Sequence, residues 1–213
     1  MPGKLHPEVL ARRQALALRE LGPILTERGF YLAGGAALAL RLAHRSSVDL
    51  DWFSETSTAD VAGVLAALAA QGLKIDVTSQ TETIARAAVH GVKIDLVSYI
   101  YPPLEEPVFE RHLGCRLASL ADIAAMKLGA VAQRGRRRDF VDVVALVRAG
   151  IPLDSMLRFY RERFRVRDVG QVLRGLVFFD DAEKERPPRG LAPGLDWKTV
   201  KTFLRGAVEK LAR

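Results

Sequence analysis

Residues 31–53, YLAGGAALALRLAHRSSVDLDWF, constrain the fold of this chain more than any other stretch. A short apolar run leads into Gly34-Gly35, an apolar helix-forming segment follows, and the stretch closes on Asp49-Leu50-Asp51. Val48, Leu50 and Trp52 alternate with Asp49 and Asp51, which is the period of a strand. Both carboxylates are therefore expected on one face of the strand and the apolar side chains on the other. Two such charges repel by about 4 kcal/mol at about 4 Å when the effective dielectric is about 20. A bound cation reverses that sign, and oxygen-only ligands suit Mg²⁺. The plain alternative is an Asp-x-Asp pair on the solvated side of a half-buried sheet. Gly34-Gly35 adds a second signal, because a glycine pair between strand and helix lets the backbone approach a phosphate beside the positive end of the helix. The same pair also suits a simple tight turn.

Composition narrows the setting. A single cysteine, Cys115, excludes an internal disulfide and fits a reducing cytoplasm. With no histidine or second cysteine close by, it reads as a small buried side chain. Thirty-two Lys and Arg against 25 Asp and Glu give a net charge of +7, which favours polyanionic partners without separating RNA from an acidic protein. The most apolar run, Val61–Ala70, is half a membrane span, so no membrane partner is expected. Residues 1–13 are polar and carry Pro2 and Pro7, unlike a cleavable leader.

Taken in order, residues 7–25 read as an amphipathic helix interrupted near Gly22-Pro23. A strand is expected at Phe30–Ala33, a helix over 35–43 and a second strand over 48–53. Ser57-Thr58-Ala59-Asp60 opens a helix over 61–71 that Gly72 closes. Residues 73–78, 83–89 and 92–99 read as three more strands, with His90-Gly91 as a tight turn. Asp95 interrupts an otherwise apolar strand, which requires an open face or a partner. Asp76 occupies a similar local sequence. Pro102, Pro103 and Pro107 break the chain, and beyond them the pattern turns helical. Helices are expected over Leu120–Gln133 with Ser119 as cap, then over 138–149, Leu153–Phe164, 168–178 and 196–212. Residues 180–194, rich in charge, Pro and Gly, read as a mobile loop. The expected fold is α/β (α+β), with a mixed sheet domain and N-terminal helix over 1–105 and a helical domain over 106–213. A site is expected in the cleft between them.

The run Gly34-Gly35-Ala36-Ala37-Leu38, followed by Arg45-x-Ser47-x-Asp49-Leu50-Asp51-Trp52-Phe53, resembles the signature of the AbiEii/AbiGii-type toxin nucleotidyltransferases. These belong to the DNA polymerase β-like nucleotidyltransferase superfamily, whose pattern is Gly-Gly or Gly-Ser, a helix, then Asp-x-Asp. A second block resembles the same family: Lys127 in a helix, then Arg134, Arg138-Asp139-Phe140 and Asp142. Together the blocks cover roughly residues 30–147 in the family's order. Ala36 departs from the pattern, since many relatives carry a hydroxyl there, so the backbone contacts to phosphate are kept and the side-chain contact is in doubt.

The resemblance implies a nucleotidyltransferase-type sheet domain whose Asp49 and Asp51 hold Mg²⁺, two ions in all, with a third carboxylate on a later strand. Asp95 is preferred over Asp76 for that place. The backbone of Gly34 and Gly35 would hold the triphosphate of an NTP. Arg45 and Ser47 either contact phosphate oxygens too or brace the loop, and Ser47 also suits a strand-entry turn. Lys127 is a phosphate ligand or a lysine that snorkels to water. The Arg134–Arg138 patch meets nucleotide or RNA backbone, or forms a solvated turn. Asp142, flanked by valines, is expected to be buried and to orient Lys127 or an arginine, and with Arg138 it is counted among the nucleotide-binding residues. Asp139 reads as a helix-start carboxylate, and His44 is given no role. By resemblance the activity is Mg-dependent transfer of a nucleotide from an NTP to RNA, such as the tRNA acceptor end, by a toxin that an antitoxin neutralises. The alternatives are the same chemistry on a protein or small molecule, or a catalytically silent member that binds RNA or a partner.

Overall fold

The computed structural model describes residues 4–211. The leader reading at residues 1–3 and the expected helix end at Ala212 lie outside the described residues. Strand β1 is Phe30–Ala33, helix α2 is Gly34–Leu42 and strand β2 is Leu50–Ser54. β1 and β2 pair antiparallel. Three further strands, β3 (Asp76–Gln80), β4 (Ile84–Val89) and β5 (Val92–Val97), form a meander, and β5 lies parallel to β2. Two short strands, β6 (Val108–Glu110) and β7 (Cys115–Leu117), extend the sheet beyond β1. The result is one mixed sheet of order β3-β4-β5-β2-β1-β7-β6.

One sheet face follows the apolar alternation. Leu50 and Trp52 on β2, Ile94 and Leu96 on β5, and Ala85 and Ala87 on β4 are buried. Helices α1 (Arg12–Glu27) and α3 (Val61–Ala70) pack on the sheet. Asp60 caps α3 by accepting from the Gly63 N–H at 2.8 Å. At the hairpin between β4 and β5, His90 and Gly91 both take positive φ, as a tight two-residue turn requires.

Several expectations are corrected. Helix α1 runs on through Pro23 to Glu27 instead of breaking at Gly22-Pro23. Gly22 is needed there for close packing, since a Cβ would come within 2.9 Å of the Gly114 carbonyl oxygen. Val48 lies before β2 and is 60% exposed, so it does not join the buried face. Strand β3 starts at Asp76, and all its residues are exposed, as fits an edge strand. Strands β6 and β7 arise where a helical pattern was expected to begin. They are three residues each, and Val108 and Phe109 are half exposed, so no alternation announces them.

The chain divides into two compact units. One comprises Met1–Arg41 with Ser47–Ser119, and the other comprises Leu42–Ser46 with Leu120–Arg213. The second unit contains α4 (Leu120–Gln133), α5 (Arg137–Arg148), α6 (Leu153–Phe164), α7 (Gly170–Val177), α8 (Asp180–Glu183) and α9 (Trp197–Leu211). Helix α4 is its centre, packing on α5, α6 and α7. Asp122 of α4 and Arg163 of α6 form an ion pair with no exposed side-chain surface. The 180–194 stretch contains a helical turn and is fastened at several points, contrary to its reading as a mobile loop. The Ser46 N–H donates to the Arg189 carbonyl at 2.9 Å, and the Ala192 N–H donates to the His44 carbonyl at 2.8 Å. Arg137 Nε donates to the Ala182 carbonyl at 3.0 Å.

Candidate active site

The parallel pairing of β2 with β5 sets Asp51 directly beside Asp95. Partners in a parallel pair point to the same side, so two carboxylates stand about 4.8 Å apart at the backbone on the face opposite Leu50 and Trp52. Both are half-buried. Asp49 lies one residue before β2, two positions from Asp51, and is also half-buried. Asp76 shares the meander, but β3 is three strand spacings from β2, about 14 Å. The register thus brings Asp95 to Asp51 and leaves Asp76 at the sheet edge.

Gly34 explains the tight join of β1 to α2. Its φ is +63°, and a Cβ built on it would fall into the Asp51 carboxylate, 2.9 Å from Cγ. Only glycine permits both the conformation and the approach. The N-terminus of α2 thus abuts the Asp51 carboxylate, and its partial positive charge favours anions there. Gly35 and Ala36 are fully buried in the first turn.

Arg86 was not anticipated. It faces Asp95 across the β4–β5 pair, with Nε 3.8 Å from Asp95 Oδ2 and the side chain 60% exposed. The two-residue turn at His90-Gly91 pairs Val89 with Val92 and is the sequence signal that could have placed Arg86 opposite Asp95. The donor set of this row suits Mg²⁺, since it consists of carboxylate oxygens on one face of adjacent strands. Among the described residues no three or more His, Cys, Asp and Glu side chains close into a metal cage. Magnesium does not require one, because it is commonly held by one or two carboxylates together with substrate phosphates.

The second unit contains a buried charge cluster. Asp142 on α5 is fully buried and accepts from Arg45 through two bonds, Nε at 2.6 Å and Nη2 at 2.8 Å. It also accepts from His44 Nε2 at 2.7 Å and pairs with Lys127 Nζ at 2.6 Å. Asp139, one turn earlier and also fully buried, accepts from Lys127 Nζ at 3.1 Å and from Arg134 Nε at 3.1 Å. Burial pushes both carboxyls up, but the cations win. Lys127 and Arg134 hold Asp139 below the ordinary carboxylate value. Lys127 and Arg45 hold Asp142 well below it.

These contacts select among the open readings of some residues and correct those of others. Arg45 is a brace, because its fork is spent on Asp142 and on the Ser46 carbonyl, which Nη1 reaches at 2.9 Å. Asp142 has no exposed surface with which to touch a nucleotide, and it positions Arg45, His44 and Lys127. Asp139 is a buried ligand of Lys127 rather than a simple helix-start charge. Lys127 does not snorkel, since it is 5% exposed and pinned between two carboxylates. His44 acquires a partner that its sequence position did not suggest. Ser47 is half-buried, and its carbonyl accepts from Gln14 Nε2 at 2.9 Å. In the Arg134–Arg138 patch, Arg137 lies over the Trp197 ring at 4.8 Å, while Arg138 is half-buried in the first turn of α5. Cys115 is fully buried, and burial pushes its thiol up to about 12, so it is no nucleophile.

A mixed sheet with paired carboxylates beside a Gly-Gly helix start defines a nucleotidyltransferase-type fold, and solved structures share it. The chain is similar to MenT4, a nucleotidyltransferase toxin of Mycobacterium tuberculosis H37Rv, with TM-score 0.60 and 14% identity over 93% of this chain and 82% of that one. It is also similar to JHP933 of Helicobacter pylori, with TM-score 0.56 and 18% identity over 98% of this chain and 95% of that one. An uncharacterized protein of Aquifex aeolicus (strain VF5) is 30% identical over 202 residues, 94% of this chain and 97% of its own length. The sequence model described as nucleotidyl transferase AbiEii toxin, type IV toxin–antitoxin system, matches residues 17–210. The chain belongs to the AbiEii nucleotidyltransferase toxin family. Membership implies a nucleotide substrate and an antitoxin partner. Among the described residues no helix is long and apolar enough to cross a membrane.

Proposed function

We propose that the protein transfers a nucleotide from an NTP to RNA, with tRNA the leading acceptor, in a Mg²⁺-dependent reaction that an antitoxin restrains. The observation that carries this reading is the in-register pair Asp51–Asp95 with the N-terminus of α2 set against it. Asp49, Asp51 and Asp95 would hold the magnesium ions. When bound, magnesium neutralises phosphate charge and polarises phosphoryl oxygens. Asp95 stands on the strand next to the Asp-x-Asp pair, the place for the acceptor hydroxyl. The Gly34 and Gly35 backbone receives the triphosphate at the positive end of α2. In the reaction the acceptor oxygen bonds to the α-phosphorus, the bond from that phosphorus to the α–β bridging oxygen breaks, pyrophosphate leaves and the hydroxyl proton passes to solvent.

The net charge of +7 supports a polyanionic acceptor. The test is incubation with each labelled NTP, Mg²⁺ and total RNA, with Asp49→Asn as control. Label on RNA from the wild type alone is the expected result. Label on protein or on a small molecule would overturn the RNA acceptor and keep the enzyme class.

A further inference from the structure

The face that carries Asp51 and Asp95 continues into aromatic side chains. Phe53 lies two residues beyond Asp51 on the same face, about 7 Å along the strand, and its partner on β5 is Val97. Phe53 meets Tyr99 edge to face at 5.1 Å, and Tyr99 meets Tyr101 likewise at 5.5 Å. All three rings are half-buried, and Ile100 between the tyrosines is 66% exposed. Toward the other side, the same face presents Arg86 opposite Asp95 and Lys93 two residues before it, both exposed. The Arg86–Asp95 pair is long and solvated, so it is weak and yields readily to a phosphate.

Here the outer rings keep accessible surface, and cations flank the carboxylates on the same face. Half-exposed rings interleaved with basic side chains fit unpaired nucleobases on a phosphate backbone, because stacking tolerates any base. We propose that Tyr99 and Tyr101 stack unpaired bases of the acceptor strand, with Phe53 backing them and Arg86 and Lys93 meeting its phosphates. This rests on the RNA reading above and assigns the surface that delivers the acceptor to Asp95.

The test is anisotropy of an end-labelled, short single-stranded RNA, without NTP or metal. Tyr101→Leu keeps an apolar side chain without a stacking ring and is expected to weaken binding by about 5- to 150-fold, whereas Tyr101→Phe stays within about twofold. Removing the bases from the 3′-terminal nucleotides should weaken wild type similarly and barely affect Tyr101→Leu, because both changes delete one interaction. That cycle is measured on folded protein and is independent of any stability loss. Binding by Tyr101→Leu equal to wild type, or losses that simply add, would overturn the platform. If RNA is still labelled in that event, the acceptor reading stands and only the platform falls. If wild type neither binds RNA nor labels it, both fall.

Discussion

Asp142→Asn tests the buried charge cluster directly. The carboxylate receives two bonds from Arg45, one from His44 and an ion pair from Lys127, all within 2.8 Å and with no solvent contact. An asparagine offers one acceptor oxygen and turns an NH₂ toward donors. Lys127 keeps Asp139 at 3.1 Å, whereas Arg45 loses its two-point pairing with the carboxylate and keeps the Ser46 carbonyl. Breaking a buried pair from one side costs about 3–5 kcal/mol, and the surviving partners argue for about 3 kcal/mol. For a chain of this length that corresponds to a Tm lower by about 6–12 °C. Thermal melts followed by circular dichroism and by tryptophan fluorescence would read it. The pH dependence adds a signature. Cations hold Asp142 and Asp139 below their ordinary values in the fold, so their stabilisation is complete above the unfolded carboxylate value of about 3.9 and fades as pH falls through the folded values. The gap between wild type and variant should therefore narrow as pH falls below about 4. A loss under about 1 kcal/mol at neutral pH, or a gap that does not change with acid, would refute the claim that Asp142 is the charged centre of this cluster.

Other perturbations probe the remaining parts. Gly34→Ala must accept φ near +63° and place its Cβ in the Asp51 carboxylate, so it should lose about 1–2 kcal/mol or more of stability together with nucleotide transfer. Normal melting with full transfer would show that the close approach is not required. Asp95→Ala should abolish transfer and Asp76→Ala should leave it near wild type, because the register puts only Asp95 next to Asp51. The reverse pattern in a transfer assay would move the third carboxylate to β3. Asp122→Ala removes the buried carboxylate that pairs with Arg163 in the second unit and should cost up to about 3–5 kcal/mol in urea titration, and an unchanged midpoint would mean that this pair does not stabilise the unit.

Much of this fold is written locally. Gly34-Gly35 and Asp49-x-Asp51 announce β1, α2 and β2, and helices α4 and α6 have the bounds that their periodicity indicates. The His90-Gly91 turn is equally local. What local pattern cannot supply is register. Asp95 was a candidate because a carboxylate in an apolar strand needs a reason, yet only the parallel pairing of β2 and β5 sets it beside Asp51. Arg86 lies in an unremarkable strand, yet the two-residue His90-Gly91 turn already fixes its place opposite Asp95. Local pattern gives no sign that His44 and Arg45, about a hundred positions before Asp142, meet it in one cluster. Lys127 illustrates the limit of the snorkelling rule. A lysine on an apolar helix stays buried when two carboxylates on the next helix await it. Strands β6 and β7 are too short to carry a period, and Pro23 stays within α1 although it lacks the N–H that a helix interior uses.

The most direct measurement follows the two ends of the nucleoside triphosphate separately. The protein is incubated with RNA, Mg²⁺ and NTP labelled on either the α- or the γ-phosphate, beside Asp51→Asn. Nucleotidyl transfer at this site predicts that α-label enters RNA, that γ-label leaves as pyrophosphate, and that the variant does neither. Label from the γ-phosphate on the acceptor, or undiminished transfer by Asp51→Asn, would contradict the chemistry assigned to the Asp51–Asp95 row.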